Sequence, residues 1–246
     1  VVVQDEKKSA VASPMLHAIG LTNCRNSLFE RLYEKYRHRK DVVSMLDRQG
    51  RMHPDIAAFA SRLFYENRLL PVGLPHQNET LQFVNYDEKD SIETLVATRR
   101  CAFVHVPRPS FEDYTPKANV LEAQMIAQIV QKICAVHQKN GVSFDPSRQL
   151  GIIVPYRRQI ATVRTEVARL MGDSDMCDSA QLLIDTVERY QGSQRDIIIY
   201  GTTITQYHEL ERLSELVMIG DTQVDRKLNV AITRARKQFI MLGNEQ

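Results

Sequence analysis

Apolar residues along this chain follow two periods, and the alternation between them lays out a fold. Val120, Ala123, Ile126, Ala127 and Val130 recur at helical spacing, which predicts a long helix over Asn119 to Val136 with those residues inward. Short runs rich in apolar residues at 102–106, 151–154, 182–184, 197–204 and 238–242 predict strands, those at 151–154 and 182–184 buried. Ser27-Leu28-Phe29-Glu30 is a capping box opening an amphipathic helix that runs to about Arg39. Val42 to Leu46 reads as a short strand. Pro54 suits the first turn of a further helix, with Ile56, Phe59, Ala60 and Leu63 as its apolar face. Residues 71–100 are polar and weakly patterned, and read as an extended connection or insertion. Strands alternating with helices predict an α/β fold with a parallel sheet covered on both faces. Ligands in such sheets gather at the C-terminal strand ends, where Pro155-Tyr156, Asp185-Thr186, Thr202-Thr203 and the loop around Gln191-Gly192 are expected.

The stretch LNVAITRARK, residues 228–237, carries the densest chemistry. Read as a helix, it sets Leu228, Ile232 and Ala235 on one stripe and spreads Asn229, Thr233, Arg234, Arg236 and Lys237 over the remaining arc. Asp225 suits its N-cap. A planar, permanently charged guanidinium on an anchored element fits charge stabilisation on a phosphoryl group in transit. A solvated basic face on an ordinary surface helix is the competing reading.

Four blocks, in order, resemble the second motor domain of superfamily 1 helicases, in the branch of the nonsense-decay helicase and the replication helicase-nuclease. LDRQGRMHPDIAAFASRLFYENRL (46–69) resembles motif IV and its following helix. LGIIVPYRRQI (150–160) resembles the family's strand, PY turn and Gln. LLIDTVERYQGSQRDIIIYGTT (182–203) resembles motif V, and the stretch at 228–237 resembles motif VI. The resemblance covers roughly 41–246 and implies a RecA-like, P-loop-NTPase-type α/β domain. No glycine is followed by lysine, so there is no GxxxxGK[ST] phosphate loop. The resemblance therefore implies ATP and Mg²⁺ held mainly by an upstream motor domain. Residues 1–40 read as the tail of that domain and a linker helix. Val1 to Val3 lie after its motif III on this reading, and Asp5 and Glu6 are solvated charges rather than a magnesium-binding pair.

The resemblance also assigns roles. Arg51 matches the motif IV arginine that touches the γ-phosphate, with Gln49 beside it, and Arg234 matches the arginine finger, with Arg236 a supporting cation or salt-bridge partner. A structural alternative for Arg51 is a bond to the C-terminal end of a neighbouring helix. Gln191 and Gly192 match the turn that contacts ribose and phosphate. Gln194 stands where relatives carry an acidic residue, and Gly50 where they carry an aromatic. Glu188 is either a further nucleotide contact or an exposed turn residue. Pro155, Tyr156, Gln159, Thr186, Thr202 and Thr203 match positions along the single strand of DNA or RNA. For Tyr156 a base stack and a buried structural ring stand equal, and for Thr186 a phosphate contact and a strand-end cap. His53 reads as structural. The implied activity is ATP-dependent, 5′-to-3′ type translocation by the whole protein, with this chain inactive alone. Two alternatives remain: a nucleic-acid or partner-binding module without turnover, and an unrelated doubly wound enzyme.

Composition narrows this picture only a little. The net charge is +2, so any grip on nucleic acid must come from local clusters such as Arg157, Arg158, Arg164 and Arg169. The four cysteines form no CxxC pair and the seven histidines no HExxH, which argues against a metal centre and fits reduced thiols. No apolar run is long enough to span a bilayer, and the expectation is a soluble protein, cytoplasmic or nuclear, with no membrane partner.

Overall fold

The computed structural model describes residues 9–24, 27–81, 83–112, 114–172, 181–190, 192–206, 209, 213–214, 216–219 and 222–245. Val1 to Lys8 lie outside them, so the reading of Val1 to Glu6 does too. The chain forms two compact units, Val1–Leu46 and Asp47–Gln246. The first holds α1 (Pro14–Ala18) and α2 (Leu28–Tyr36). The strand expected at Val42 to Leu46 is absent, because the amides of Val42 and Val43 both turn back to the Arg39 carbonyl at 3.1 and 2.9 Å.

The second unit runs β1 (Arg48–Gln49), α3 (Pro54–Phe64), β2 (Leu70–Pro71), α4 (Pro75–Asn78), α5 (Ser91–Thr98), β3 (Cys101–His105), α6 (Val120–Lys139), α7 (Pro146–Gln149), β4 (Leu150–Ile153), α8 (Arg157–Met171), β5 (Leu183–Asp185), β6 (Arg195–Gly201), β7 (Leu216–Ile219), β8 (Thr222–Asp225), α9 (Arg226–Ile232) and β9 (Ala235–Gly243). Five strands form one sheet in the order β3-β9-β6-β4-β5, every neighbouring pair parallel. Strand periodicity then sorts the core. Ile152, Ile197, Ile199, Ile240 and Leu242 face α5, α6 and α8 through Val96, Ile126, Ile129, Ile133, Val163 and Val167. Ile153, Ile198, Tyr200 and Phe239 face the other way, onto Ile56 and Ala57 of α3, Ala231 and Ile232 of α9, and Val187 and Tyr190. Each such side chain taken fully from water contributes about 1.5–3 kcal/mol before entropy. The sheet is a RecA-like α/β arrangement, as expected.

Three local expectations change. Residues 71–100 are not merely extended: Asp90 caps α5 by accepting from Ile92 and Glu93, and α5 buries Glu93, Val96 and Ala97. Glu93 escapes the pattern because its carboxylate is paired at 3.2 Å with Lys132 and 2.6 Å with Lys139. In α3, Phe59 is 40% exposed while Ile56, Ala57, Ala60 and Ser61 are buried, a rotation of the expected face. The third change is the largest. The helix expected over 228–237 stops at Ile232, and Ala235 already pairs with Arg195 on β6. Arg234 therefore sits in a turn, and Arg236 and Lys237 lie on a strand. Strand pairing with both β6 and β3 outweighs a helix continued for one more turn.

Two close approaches hold the sheet edges. Tyr190 is fully buried with its hydroxyl donating to the Leu183 carbonyl, and a Cβ on Gly151 would stand 2.7 Å from that oxygen and 2.9 Å from Ile198. At the opposite ends of the strands, Glu122 of α6 is wholly buried. Its carboxylate accepts from the Thr203 amide (2.8 Å), the Thr203 hydroxyl (3.2 Å) and Gln159 (3.1 Å). A Cβ on Gly201 would lie 2.6 Å from this carboxylate, so only glycine lets β6 end against it. Burial pushes the Glu122 carboxyl up to about 7, against the pull of its donors.

Gly151→Ala is expected to lower stability by about 1–3 kcal/mol through overpacking, read from urea unfolding. Glu122 sets a pH dependence whose sign comes from its raised pKa. The native state keeps a proton that the unfolded chain releases above its ordinary value of 4.5, so this contribution to stability is lost as pH rises through about 7. Between pH 5 and 8 the protein should lose on the order of a few kcal/mol relative to its Glu122→Gln variant. Melting temperatures of the two proteins that change in parallel over that range would refute it.

Candidate functional site

Parallel pairing puts every strand start on one edge of the sheet and every strand end on the other, and the chemistry divides accordingly. At the starts, β6 is entered from Gln194 and β9 from Arg234. The turn carrying Arg51 is built by its neighbour Gln49, whose side-chain oxygen accepts from the Arg51 and Met52 amides at 2.9 and 2.7 Å while its amide donates to the Met52 carbonyl. Gln77 of α4 ties the same turn from outside, donating to the carbonyls of Gln49 and Met52. His76 reaches the Arg51 carbonyl through Nε2 (2.8 Å) and faces Arg236 through Nδ1 (3.3 Å). The imidazole thus bridges the Arg51 carbonyl and the Arg236 guanidinium.

Thus held, Arg51 donates from Nε to the Gln194 side-chain oxygen (3.1 Å) and from a terminal nitrogen to the Thr233 carbonyl at the end of α9 (3.0 Å). Arg234 folds back over the same turn, to the Val230 carbonyl (3.0 Å) and the Thr233 hydroxyl (3.4 Å). Among the described residues neither guanidinium has a carboxylate partner. Burial, then the nearby Arg51 charge, lowers the Arg234 pKa, though an arginine remains cationic at neutral pH. Two adjacent cations with no carboxylate partner among the described residues repel each other, and an anion placed between them would relieve that repulsion. Arg236 is different, being committed to Asp196 at 2.9 Å. No group of three or more His, Cys, Asp or Glu among the described residues is arranged to hold a metal ion. A Cβ on Gly50 would meet Leu74 at 3.3 Å and Val72 at 3.4 Å, so these two side chains fill the space an aromatic would need.

At the strand ends stand Pro155 and Tyr156 after β4, Thr186 after β5, and Thr202 and Thr203 after β6. Tyr156 is half-buried and is the N-cap residue of α8, whose start carries no side-chain cap and two exposed arginines, Arg157 and Arg158. Helix dipole, open amides and two cations together favour a phosphate there. The Thr186 amide bonds the Asp185 carboxylate at 2.8 Å. Thr202 and Thr203 are both buried, and Thr203 adopts φ +58° with its hydroxyl on Glu122. Gln159 is also fully buried: its oxygen accepts from the Asn119 amide, and its nitrogen donates to Asn119 and Glu122. It supports the edge from below and exposes no atom to a strand.

The expected site residues thus fall into two groups. Gln49, Arg51, Gln194, Arg234 and Arg236 share the edge of strand starts; Pro155, Tyr156, Gln159, Thr186, Thr202 and Thr203 share the edge of strand ends. The loop of Gly192 and Gln194, expected among the strand ends, leads into β6 and lies with the first group. Gly192 adopts φ +88°, and Gln191 lies outside the described residues. Glu188, read as either a nucleotide contact or an exposed turn residue, lines a small cleft with Pro155 and Lys227 at the end of β4, 3.6 Å from the Lys227 ammonium. Its pKa is lowered: burial opposes the shift, and its hydrogen bonds and Lys227 outweigh burial. His53 is structural as read, its ring accepting from the Asp55 amide as the α3 cap. Sequence reasoning missed His76, Gln77 and Glu122, which act across 25 to 81 positions and leave no periodic signal.

Known proteins resemble this chain in sequence. The AAA-domain family matches residues 24–246. A Danio rerio protein bearing the helicase name mov-10-B.2 is 25% identical over 234 residues, covering 89% of this chain and 21% of the relative. The DNA replication ATP-dependent helicase/nuclease JHS1 of Arabidopsis thaliana is 29% identical over 225 residues, 89% of this chain and 15% of its own. Helicase sen1 of Schizosaccharomyces pombe is 28% identical over 222 residues, 90% of this chain and 12% of its own. The chain spans only about a fifth or less of these curated relatives. No described helix is long and apolar enough to cross a membrane. With four motifs in order on a RecA-like sheet and the family matched along nearly its whole length, the chain belongs to the AAA-domain family and is a superfamily 1 helicase-type domain.

Proposed function

We propose that this chain is the C-terminal motor domain of an ATP-dependent helicase or translocase that moves on single-stranded DNA or RNA. The observation that carries the proposal is the Arg51–Arg234 pair, two neighbouring guanidiniums that converge on Thr233 with no carboxylate partner among the described residues. ATP and Mg²⁺ are held mainly by an upstream motor domain. Arg51 reads the γ-phosphate, Arg234 stabilises charge as the phosphoryl group transfers, and Gln194 meets the ribose through an amide, a weaker bond than a carboxylate makes. Arg236 keeps β9 registered through Asp196. Loss of the γ-phosphate frees both arginines, and the two motor domains then part and alternate their hold on the strand.

The strand lies along the opposite edge. Support comes from the start of α8, with Tyr156, Arg157 and Arg158 beside Pro155, and from Thr186. Two parts of the chain on one face of the sheet link that edge to the arginines: α9, Arg226–Ile232, and Val187 and Tyr190 between β5 and β6. Each is short and packed on the core, so a displacement at one edge is carried rigidly to the other.

A second reading is a binding module without turnover. It is favoured by Gly50, where Val72 and Leu74 replace the aromatic surface for a base, and by Arg51 being satisfied on a helix end. ATPase assays of the protein with its upstream domain, with and without single-stranded oligonucleotide, separate the two. Strand-stimulated turnover that falls about 10³-fold or more in Arg234→Ala supports the motor. No turnover in either protein supports the binding module. This chain alone is expected to show negligible ATPase, and robust turnover by it would overturn the shared-site reading.

A further inference from the structure

β3 leaves the sheet beside the proposed strand path, and none of the matched motifs covers the segment between it and α6. The chain stays anchored through Val106, whose amide bonds Gly243 (2.8 Å) and whose carbonyl accepts from Asn244 (3.1 Å). It is anchored again at Ala118 and Asn119, both buried, where α6 begins. Between these points an open cleft of about 620 Å³ is lined by Arg108, Phe111, Tyr114, Thr205 and Gln206. That volume lies within the range of pockets that enclose small organic groups.

The far wall of the cleft is fixed. The Tyr114 hydroxyl donates to one oxygen of Glu209 (2.9 Å), and the other oxygen accepts from the Thr205 amide (2.8 Å), the Thr205 hydroxyl (2.9 Å) and the Gln206 amide (3.1 Å). Phe111, by contrast, is 97% exposed. A lone apolar side chain in water is ordinary. This one is a flat ring at a walled cleft beside an arginine, on the sheet edge where the single strand is proposed to run.

We infer that Phe111 stacks on a base of the bound strand, with Arg108 at the adjacent phosphate, so that the strand path extends beyond the matched motifs to the β3 side of the sheet. The inference rests on the nucleic-acid reading of this edge. From β4, where Tyr156 stands, to β3 is three strand spacings, roughly 14 Å. That is the length of about four stacked nucleotides. An aromatic face accepts any base, which suits a translocating protein that must not favour a sequence. Arg108 supplies the charge that a phosphate beside a stacked base requires.

The test uses the 246-residue chain and labelled single strands of about twelve nucleotides, one DNA and one RNA, read by fluorescence anisotropy at low salt. Phe111→Ala should weaken binding by about 5- to 100-fold, while Phe111→Trp retains it. The same melting temperature in all three proteins excludes a folding effect. A series of strands each lacking one base should contain one in which Phe111→Ala no longer matters, a signature a merely structural ring would not give. A purine analogue whose fluorescence is quenched on stacking should brighten in Phe111→Ala at that same position. Wild-type binding that Phe111→Ala leaves unchanged overturns the stack and leaves the strand path intact. Absence of wild-type binding to either strand overturns both.

Discussion

Parallel pairing of all five strands is the constraint on which everything else in the second unit depends. A parallel sheet needs both faces covered, and its strands are therefore apolar on both sides. That is visible in Ile197, Ile198, Ile199 and Tyr200, which alternate between the two cores without a polar interruption. It also polarises the molecule. Strand starts and strand ends cannot mix, so Arg51, Gln194 and Arg234 at one edge are separated by the height of the sheet from Tyr156, Thr186 and Thr203 at the other.

The two edges are built by different physics. At the strand starts, polar side chains hold a turn through bonds to its backbone: Gln49 from within, Gln77 and His76 from α4. The cost of keeping Arg51 near Arg234 is met by that scaffold, and repulsion between the two is what an anion would relieve. At the strand ends a single buried carboxylate does the organising. Glu122 receives two donors from Thr203 and one from Gln159, holding Thr203 in a left-handed conformation that a β-branched residue rarely adopts. Such local strain persists only where surrounding structure over-determines it.

Connection between the edges is a matter of which elements share a face. Val187 and Tyr190, between β5 and β6, and Ala231 and Ile232 of α9 all lie on the core of Ile153, Ile198, Tyr200 and Phe239. Gly151 is what lets that face close, since Tyr190 rests where a Cβ would be. The helix over the opposite face, α6, carries Glu122 at its first turn and caps it with Asn119, so the strand-end edge is tied to the other core.

Much of this was legible in the residues alone. The apolar runs located β3, β4, β5, β6 and β9, the period of 119–136 located α6, and Asp225 and Pro54 marked the starts of α9 and α3. These signals are local, set by side-chain period and backbone chemistry within a few residues. Four motifs in order identified the family and named both Arg51 and Arg234. What the residues could not decide was anything settled by a distant partner. The end of α9 at Ile232 was decided by Ala235 pairing with Arg195, against a continuous helical pattern. The polar stretch 71–100 became structural because Gln77 and His76 find backbone partners around Arg51 and because Lys132 and Lys139 neutralise Glu93. The motif V loop was placed with the strand starts because the crossover from β5 to β6 traverses the face and does not remain at one edge. Sequence determined the elements, their order and the chemistry available; only the tertiary structure decided which edge each group faces, because facing is set by strand direction and long-range hydrogen bonds rather than by any local period.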